Sequence, residues 1–216
     1  TGYSIILNII HSPAEIDKYL TLPAEEFEKL NLSRNQVANL IEASGNIDKY
    51  LTLPAEEFKK FKLYRNQVGN IIKASGNIEK YLTPENIAKF NLSGYEVSDL
   101  IIASGNIDKY LTLPTEEFKK FNLSEHEVRD LIKASGNIEK YLNPENIEKF
   151  NLSGYDVSDL IETSGNIDKY LTLPTEEFKK FNLSKNAASD LIIASGNIDK
   201  YLNPENIAKF NLSGYN

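Results

Sequence analysis

Glu56 and Glu57 stand side by side, and adjacent carboxylates are the raw material of general acid–base catalysis. That chemistry needs one pocket whose surroundings drive the two pKa values apart. Here the pair recurs in every long copy of a repeat and follows a proline, so it reads as negative charge set against the positive end of a helix dipole. The two histidines, His11 and His126, occupy non-equivalent positions and build no repeated metal site; the absence of cysteine removes disulfides, thiolate ligands and cysteine nucleophiles. Asn-Leu-Ser at Asn31, Asn91, Asn122, Asn151, Asn182 and Asn211 matches the N-glycosylation acceptor pattern. An asparagine closing one helix and a serine opening the next account for it equally well. Ser-Gly-Asn has one glycine per occurrence, which suits a helix stop and not a phosphate-cradling loop. The residues therefore imply no catalytic, cofactor or metal site, and a protein that is not an enzyme.

What they point to is recognition, and the charge restricts its kind. The 216 residues are 41% hydrophobic and 25% charged, the balance of a folded chain, with a formal net charge of −7. Affinity for nucleic acid comes largely from Lys and Arg neutralising phosphates, so an acidic chain disfavours a polyanion. No apolar run approaches the roughly 18 residues of a membrane span, and no small-molecule substrate is implied. The apolar YSIILNII from Tyr3 to Ile10 lacks the basic start and cleavage site of a signal peptide and reads as buried protein. Location stays open between a reducing interior and an exterior setting without disulfides.

The elements that must position any recognition surface repeat. SGNIDKYL starts at Ser44 and returns, with Asp or Glu in fifth place, at Ser75, Ser104, Ser135, Ser164 and Ser195, in steps of 31, 29, 31, 29 and 31 residues. A weaker copy spans 13–43. The copies are thus 13–43, 44–74, 75–103, 104–134, 135–163, 164–194 and a partial 195–216, preceded by a partial repeat or cap over 1–12. Long and short copies differ mainly by two residues before a proline. A fixed period of this size is the signature of a solenoid, in which each copy buries its apolar face only against its neighbours.

Within a copy the punctuation specifies three short helices. In LSRNQVANLIEAS, Ser33 and Gln36 can satisfy each other's free backbone N–H groups as a capping box, recurring at Ser93/Glu96 and Ser124/Glu127. The box weakens at Ser153/Asp156, loses its cap at Tyr64 and its partner at Ala187. Gly45 ends the helix, Asn46 is placed to cap a second one over IDKYLT, and Pro54 opens a third carrying Phe58 and Phe61. Tyr50 and its repeats read as packing between copies. No helix exceeds about a dozen residues, marginal alone in water, so order must come from neighbouring copies.

Because most of the repeat is invariant, the positions that vary are informative. In the Ser-capped helix these are the first, second, fifth, sixth and ninth, spread over about 140° opposite Val37, Leu40 and Ile41. They supply the candidate partner-binding residues Arg34, Asn35, Arg65, Asn66, Tyr95, Asp99, Glu125, His126, Arg129, Tyr155, Asp159, Lys185 and Asn186. Tyr95 and Tyr155 serve as anchors, since tyrosine and arginine are favoured at interfaces. Stacking would multiply a weak contact made by one copy.

The stretch LSRNQVANLIEASGNI resembles the start of repeats in transcription-activator-like effectors, where a Leu-Ser/Thr-x-x-Gln-Val helix leads to a base-reading loop. The resemblance covers about half of each copy; the loop here is an unvarying Ser-Gly-Asn that spells no base sequence. NLSRNQVANLI with the following short helices is also similar to the three-helix repeats of mitochondrial transcription termination factors, which implies a curved superhelix. The sequence thus leads to an all-α, right-handed α-solenoid of about seven 29/31-residue copies, three short helices each, open at the C-terminus. Its expected role is a non-enzymatic scaffold for protein–protein interaction through the variable face; the alternative is an effector-like array binding nucleic acid. The ends read as a window from a longer array, with Ile6 and Leu7, in place of the Ser98 and Asp99 of the aligned copy, forming a cap or a seat for an upstream domain.

Overall fold

A computed structural model describes residues 12–212. His11, the Ile6/Leu7 cap, Gly214 and Tyr215 lie outside the described residues. The chain is all-α: 20 α-helices and two short 3-10 turns, with no strand among the described residues. None of the described helices is long and apolar enough to cross a membrane.

Each of the six copies from 13–43 to 164–194 contributes the three expected helices. The Ser-capped helices are Arg34–Ala43, Arg65–Ala74, Gly94–Ser104, Glu125–Ala134, Gly154–Ser164 and Lys185–Ala194. Their start is set by the box: the Ser33 and Ser124 N–H groups donate to Gln36 and Glu127 at 2.8 and 2.7 Å. Asp156, one methylene shorter than Glu, still closes it at 3.2 Å. Tyr64 loses the side-chain cap, but Gln67 keeps its half by accepting from the Tyr64 N–H at 2.9 Å. At the other end Ser44 Oγ donates to the Ile41 carbonyl at 2.6 Å and accepts from the Asn46 N–H at 3.1 Å, while Gly45 takes φ +68°, a left-handed conformation glycine adopts without a Cβ clash. This corrects the expected role of Asn46, which sits at the N-cap position of Ile47–Leu51 but makes no side-chain cap bond. The serine hydroxyl has taken over the turn.

The difference between long and short copies is local. Long copies place their proline just outside the first turn; in 44–74 the segment splits into a helix over Ala55–Phe58 and a 3-10 turn over Lys59–Phe61, and 104–134 does the same, while 13–43 and 164–194 keep one short helix, Ala24–Lys29 and Thr175–Lys179. Short copies put proline inside the first turn of one continuous helix, Pro84–Phe90 or Pro144–Phe150, capped by Thr83 or Asn143 at 3.3 and 3.0 Å. Asn91 and Asn151 then turn the chain at φ +51° and +53°. Asparagine tolerates that region better than most residues; Lys62 holds the same conformation at φ +49° in one long copy.

The chain divides into two compact units, one of residues up to Gly105 with Lys120–Asn122, the other of Asn106–Lys119 with Leu123 onward. In the first, Pro13–Leu20 packs on Arg34–Ala43, which packs on Arg65–Ala74, which packs on Gly94–Ser104. Glu125–Ala134, Gly154–Ser164 and Lys185–Ala194 follow the same order in the second. Leu40, Ile41, Ile71, Ile72, Leu131, Ile132, Leu160 and Ile161 of these helices are all buried. The apolar stripe read from the sequence is thus the inner face of each helix.

Candidate functional site

The eight-residue signature is explained by a polar hand-over from copy to copy. Asp48 accepts from Lys80 Nζ at 2.7 Å and from the Tyr81 hydroxyl of the following copy. Asp17 does the same for Lys49 and Tyr50, Asp108 for Lys140 and Tyr141 at 2.7 and 2.5 Å, and Asp168 for Lys200 and Tyr201 at 3.1 and 2.5 Å. In the short copy Glu139 takes Lys169, the Tyr170 hydroxyl at 2.9 Å and Asn166 Nδ2 at 3.3 Å. The Lys80 and Tyr81 hydrogen bonds hold the Asp48 carboxyl below its ordinary range; burial and the neighbouring carboxylate push Tyr81 up. Each tyrosine ring is buried, as expected, and its hydroxyl has a charged acceptor. The sequence reading missed this pairing. Its signal was the invariance of acid, lysine and tyrosine within the octapeptide.

A second link joins backbone to side chain. Lys89, Lys149 and Lys209 donate to the Leu51, Leu111 and Leu171 carbonyls, the last residues of the preceding copy's second helix, at 2.6, 2.8 and 2.8 Å. Those carbonyls have no acceptor role inside a helix that has ended. The ammonium groups lie over phenylalanine rings, Lys89 at 4.7 Å from the Phe90 centroid, and burial lowers their pKa values.

The variable positions do not form one open ribbon, which corrects the expectation from helical angles. The fifth position faces the next copy: Ala38, Gly69 and Ser98 are buried, and Arg129 is nearly so, with Nη1 3.3 Å from Asp156 and Nε 3.2 Å from Asp159. The sixth and ninth positions pair along the seam, Lys73 with Asp99 at 2.5 Å and Lys133 with Asp159 at 2.6 Å. Arg65 Nε lies 3.8 Å from Glu96, and Asn35 accepts from Gln67 Nε2 at 2.7 Å. Exposed at the second position stand Asn35, Asn66, Tyr95, His126, Tyr155 and Asn186, with Lys185 exposed beside Asn186. Tyr95 and Tyr155 are 69% and 66% exposed. Each compact unit carries one of these tyrosines.

Gly154 shows why the first position of that short copy is glycine: a Cβ there would meet the Asn182 carbonyl oxygen at 2.6 Å. Between two long copies the equivalent place holds Arg34, whose Nε donates to the Lys62 carbonyl at 2.6 Å and whose guanidinium lies 4.0 Å over the Tyr64 ring. That junction opens into a groove of about 650 Å³ lined by Phe27, Glu28, Arg34, Phe61, Lys62 and Tyr64 among others. Lys62 and Tyr64, the two departures from Asn-Leu-Ser, both lie on it.

Glu125, His126 and Asp156 bring one ligand atom each within 4.8 Å of one another. His126 Nδ1 is 2.9 Å from Asp156, which raises the imidazole pKa, and Asp156 is fully buried. Against the upward push of that burial, the Ser153 hydroxyl and His126 hold the Asp156 carboxyl down. Arg129 already supplies a positive charge to the same oxygen, so a cation would have to displace a guanidinium. No family model, curated protein or solved structure matches the chain.

Proposed function

We propose that this chain is a right-handed α-solenoid of about seven copies that serves as a non-enzymatic scaffold for protein binding, presenting the second position of its Ser-capped helices to a partner. The observation that carries the reading is the pair Tyr95 and Tyr155. Both are large amphipathic rings left in solvent, while the octapeptide tyrosines, such as Tyr81 and Tyr170, are buried against acidic partners. Aromatic residues with a polar tip suit the centre of a protein interface. Their surroundings support the same assignment, because the ion pairs along the seams engage other side chains and leave Tyr95 and Tyr155 in solvent.

The alternative, nucleic-acid binding, needs a row of cations free to meet phosphates. Arg65, Lys73, Arg129 and Lys133 face carboxylates of the next copy instead, and the Ser-Gly-Asn turn is closed by its own hydrogen bonds.

Immobilised wild-type chain and the Tyr95→Ala/Tyr155→Ala variant, offered the same cell extract, test the reading. The variant is expected to keep the wild-type thermal midpoint, since exposed substitutions cost within about 0.5 kcal/mol, and to lose captured protein at least about tenfold. Equal capture by both overturns it. Binding to random duplex that steepens as salt falls would establish the nucleic-acid reading instead.

A further inference from the structure

At two junctions the second position of one Ser-capped helix meets the box residue of the next. Between copies 13–43 and 44–74 those places hold Asn35 and Gln67, a neutral pair at 2.7 Å. Between 104–134 and 135–163 they hold His126 and Asp156, with the imidazole Nδ1 2.9 Å from the carboxylate. Asp156 is fully buried, while the His126 side chain is 61% exposed and so exchanges protons with water. The other oxygen of Asp156 is committed to the start of its helix, accepting from the Ser153 N–H at 3.2 Å and from the Ser153 hydroxyl.

Positive charge falls short at this joint. Asp130, Asp156 and Asp159 are served by Arg129, which divides its guanidinium among all three at 2.9, 3.3 and 3.2 Å, and by Lys133, which goes to Asp159 at 2.6 Å. A buried carboxylate that shares its cation gains from another. A proton on His126 supplies that charge at the buried oxygen. The Asp156 hydrogen bond and charge favour the proton, as does Glu125 beside the ring, while desolvation and Arg129 oppose it; the imidazole pKa lies above its ordinary value near 6.5. Glu162, also on Gly154–Ser164, is exposed. Ile107–Leu111 and Ile138–Tyr141 pack on the same helix. Their charges, Asp108, Lys109, Glu139 and Lys140, belong to the octapeptide, where Asp108 takes Lys140 at 2.7 Å and Glu139 takes Lys169.

We propose that the junction of copies 104–134 and 135–163 is a pH-sensitive joint: as pH falls below neutrality His126 takes up a proton, its imidazolium pairs with the buried Asp156 carboxylate, and the two helices are clamped at that point. A group whose folded pKa is raised gives stability that is complete below its ordinary value and is lost as pH rises through the folded one. The joint is therefore tightest on the acid side of about pH 6.5 and looser in alkali. Asp156 keeps its charge in that range, because against the upward push of burial Ser153 and His126 hold its carboxyl down. His126 is the one histidine among the described residues, so the response is local. The joint needs no partner and is independent of the scaffold reading built on Tyr95 and Tyr155.

Proton NMR of the full chain from about pH 4.5 to about pH 9 reads the imidazole directly, and His126→Gln tells its signal from that of His11. The His126 midpoint is expected above about 6.5 in the wild type and lower in Asp156→Asn. Amide exchange, corrected for its intrinsic pH dependence, reads the joint. Opening of Gly154–Ser164 is expected to be at least about twofold rarer at about pH 5.5 than at about pH 8.5, and the ratio is expected to return to about one in His126→Gln. Helical circular dichroism verifies folding, and Arg129→Gln, expected to raise the midpoint by removing the opposing charge, replaces Asp156→Asn if the latter does not fold. A wild-type midpoint at or below the ordinary value, a folded variant that leaves the midpoint where it was, equal opening at both pH values, or a ratio as large in His126→Gln as in the wild type overturns the proposal.

Discussion

The Tyr81 hydroxyl is buried with its ring, and a buried hydroxyl without a partner destabilises a fold. Asp48 supplies the acceptor, and because Lys80 reaches the same carboxylate, the charge is balanced where the two copies meet. Tyr81→Phe removes the donor while leaving the ring, and is expected to cost about 1–2 kcal/mol in urea unfolding, the range between a neutral and a charged hydrogen bond. The same triads set an acid limit. The Lys and Tyr hydrogen bonds hold Asp48, Asp108 and Asp168 below their ordinary pKa values when folded. A depressed folded pKa adds stability that is complete above the unfolded value, near 4, and is lost as pH falls through the folded value. Thermal midpoints measured from pH 7 down to pH 2 are expected to hold to about pH 4 and then drop. In an Asp48→Asn/Asp108→Asn variant the drop should be shallower, from a lower plateau.

Among the helices, glycine separates two situations that look alike in sequence. Gly69 lies inside Arg65–Ala74, and the nearest atom to an added Cβ would be the Glu96 Cγ at 3.9 Å, an ordinary contact. Gly69→Ala is therefore expected to stabilise by about 1 kcal/mol through helix propensity. Gly154 begins its helix against the Asn182 backbone, so Gly154→Ala must push that backbone away and is expected to destabilise, lowering the thermal midpoint where Gly69→Ala raises it. The sequence carried the helices themselves because their signals are local: Ser33 and Gln36 are three residues apart, and Gly45 follows the last turn. It carried less of what depends on a neighbour. The Asn46 cap was expected because asparagine is a good N-cap, but the Lys49 N–H donates to the Asn46 backbone carbonyl, and Ser44, two residues earlier, accepts from the Asn46 N–H. Helical angles placed the variable positions on one side of the Ser-capped helix, yet not where the next copy would sit, so Arg129 and Asp159 were read as open surface and lie in a seam. Tyr95 and Tyr155 needed no such knowledge, since the second position points away from every stripe.

For the whole chain, contacts run from each copy to the next within a compact unit, so damage should stay near its origin. Leu160→Ala, which empties a fully buried site in Gly154–Ser164, is expected to cost about 2–5 kcal/mol. Amide exchange is expected to speed up in the copies 104–134, 135–163 and 164–194 while Arg34–Ala43 keeps its protection. The hand-over from Asp108 to Lys140 and Tyr141, and from Glu139 to Lys169 and Tyr170, has a further consequence. The acid, lysine and tyrosine of this hand-over recur from copy to copy, beside pairs such as Lys133 with Asp159 that belong to one junction. Excising 104–163, a long copy and a short one together, would bring Glu79 before Lys169 and Tyr170, a junction of the kind Glu139 already makes. In-frame loss or gain of such a pair leaves no mismatched hand-over, so unequal recombination could change the reach of the protein without inventing a new kind of hand-over.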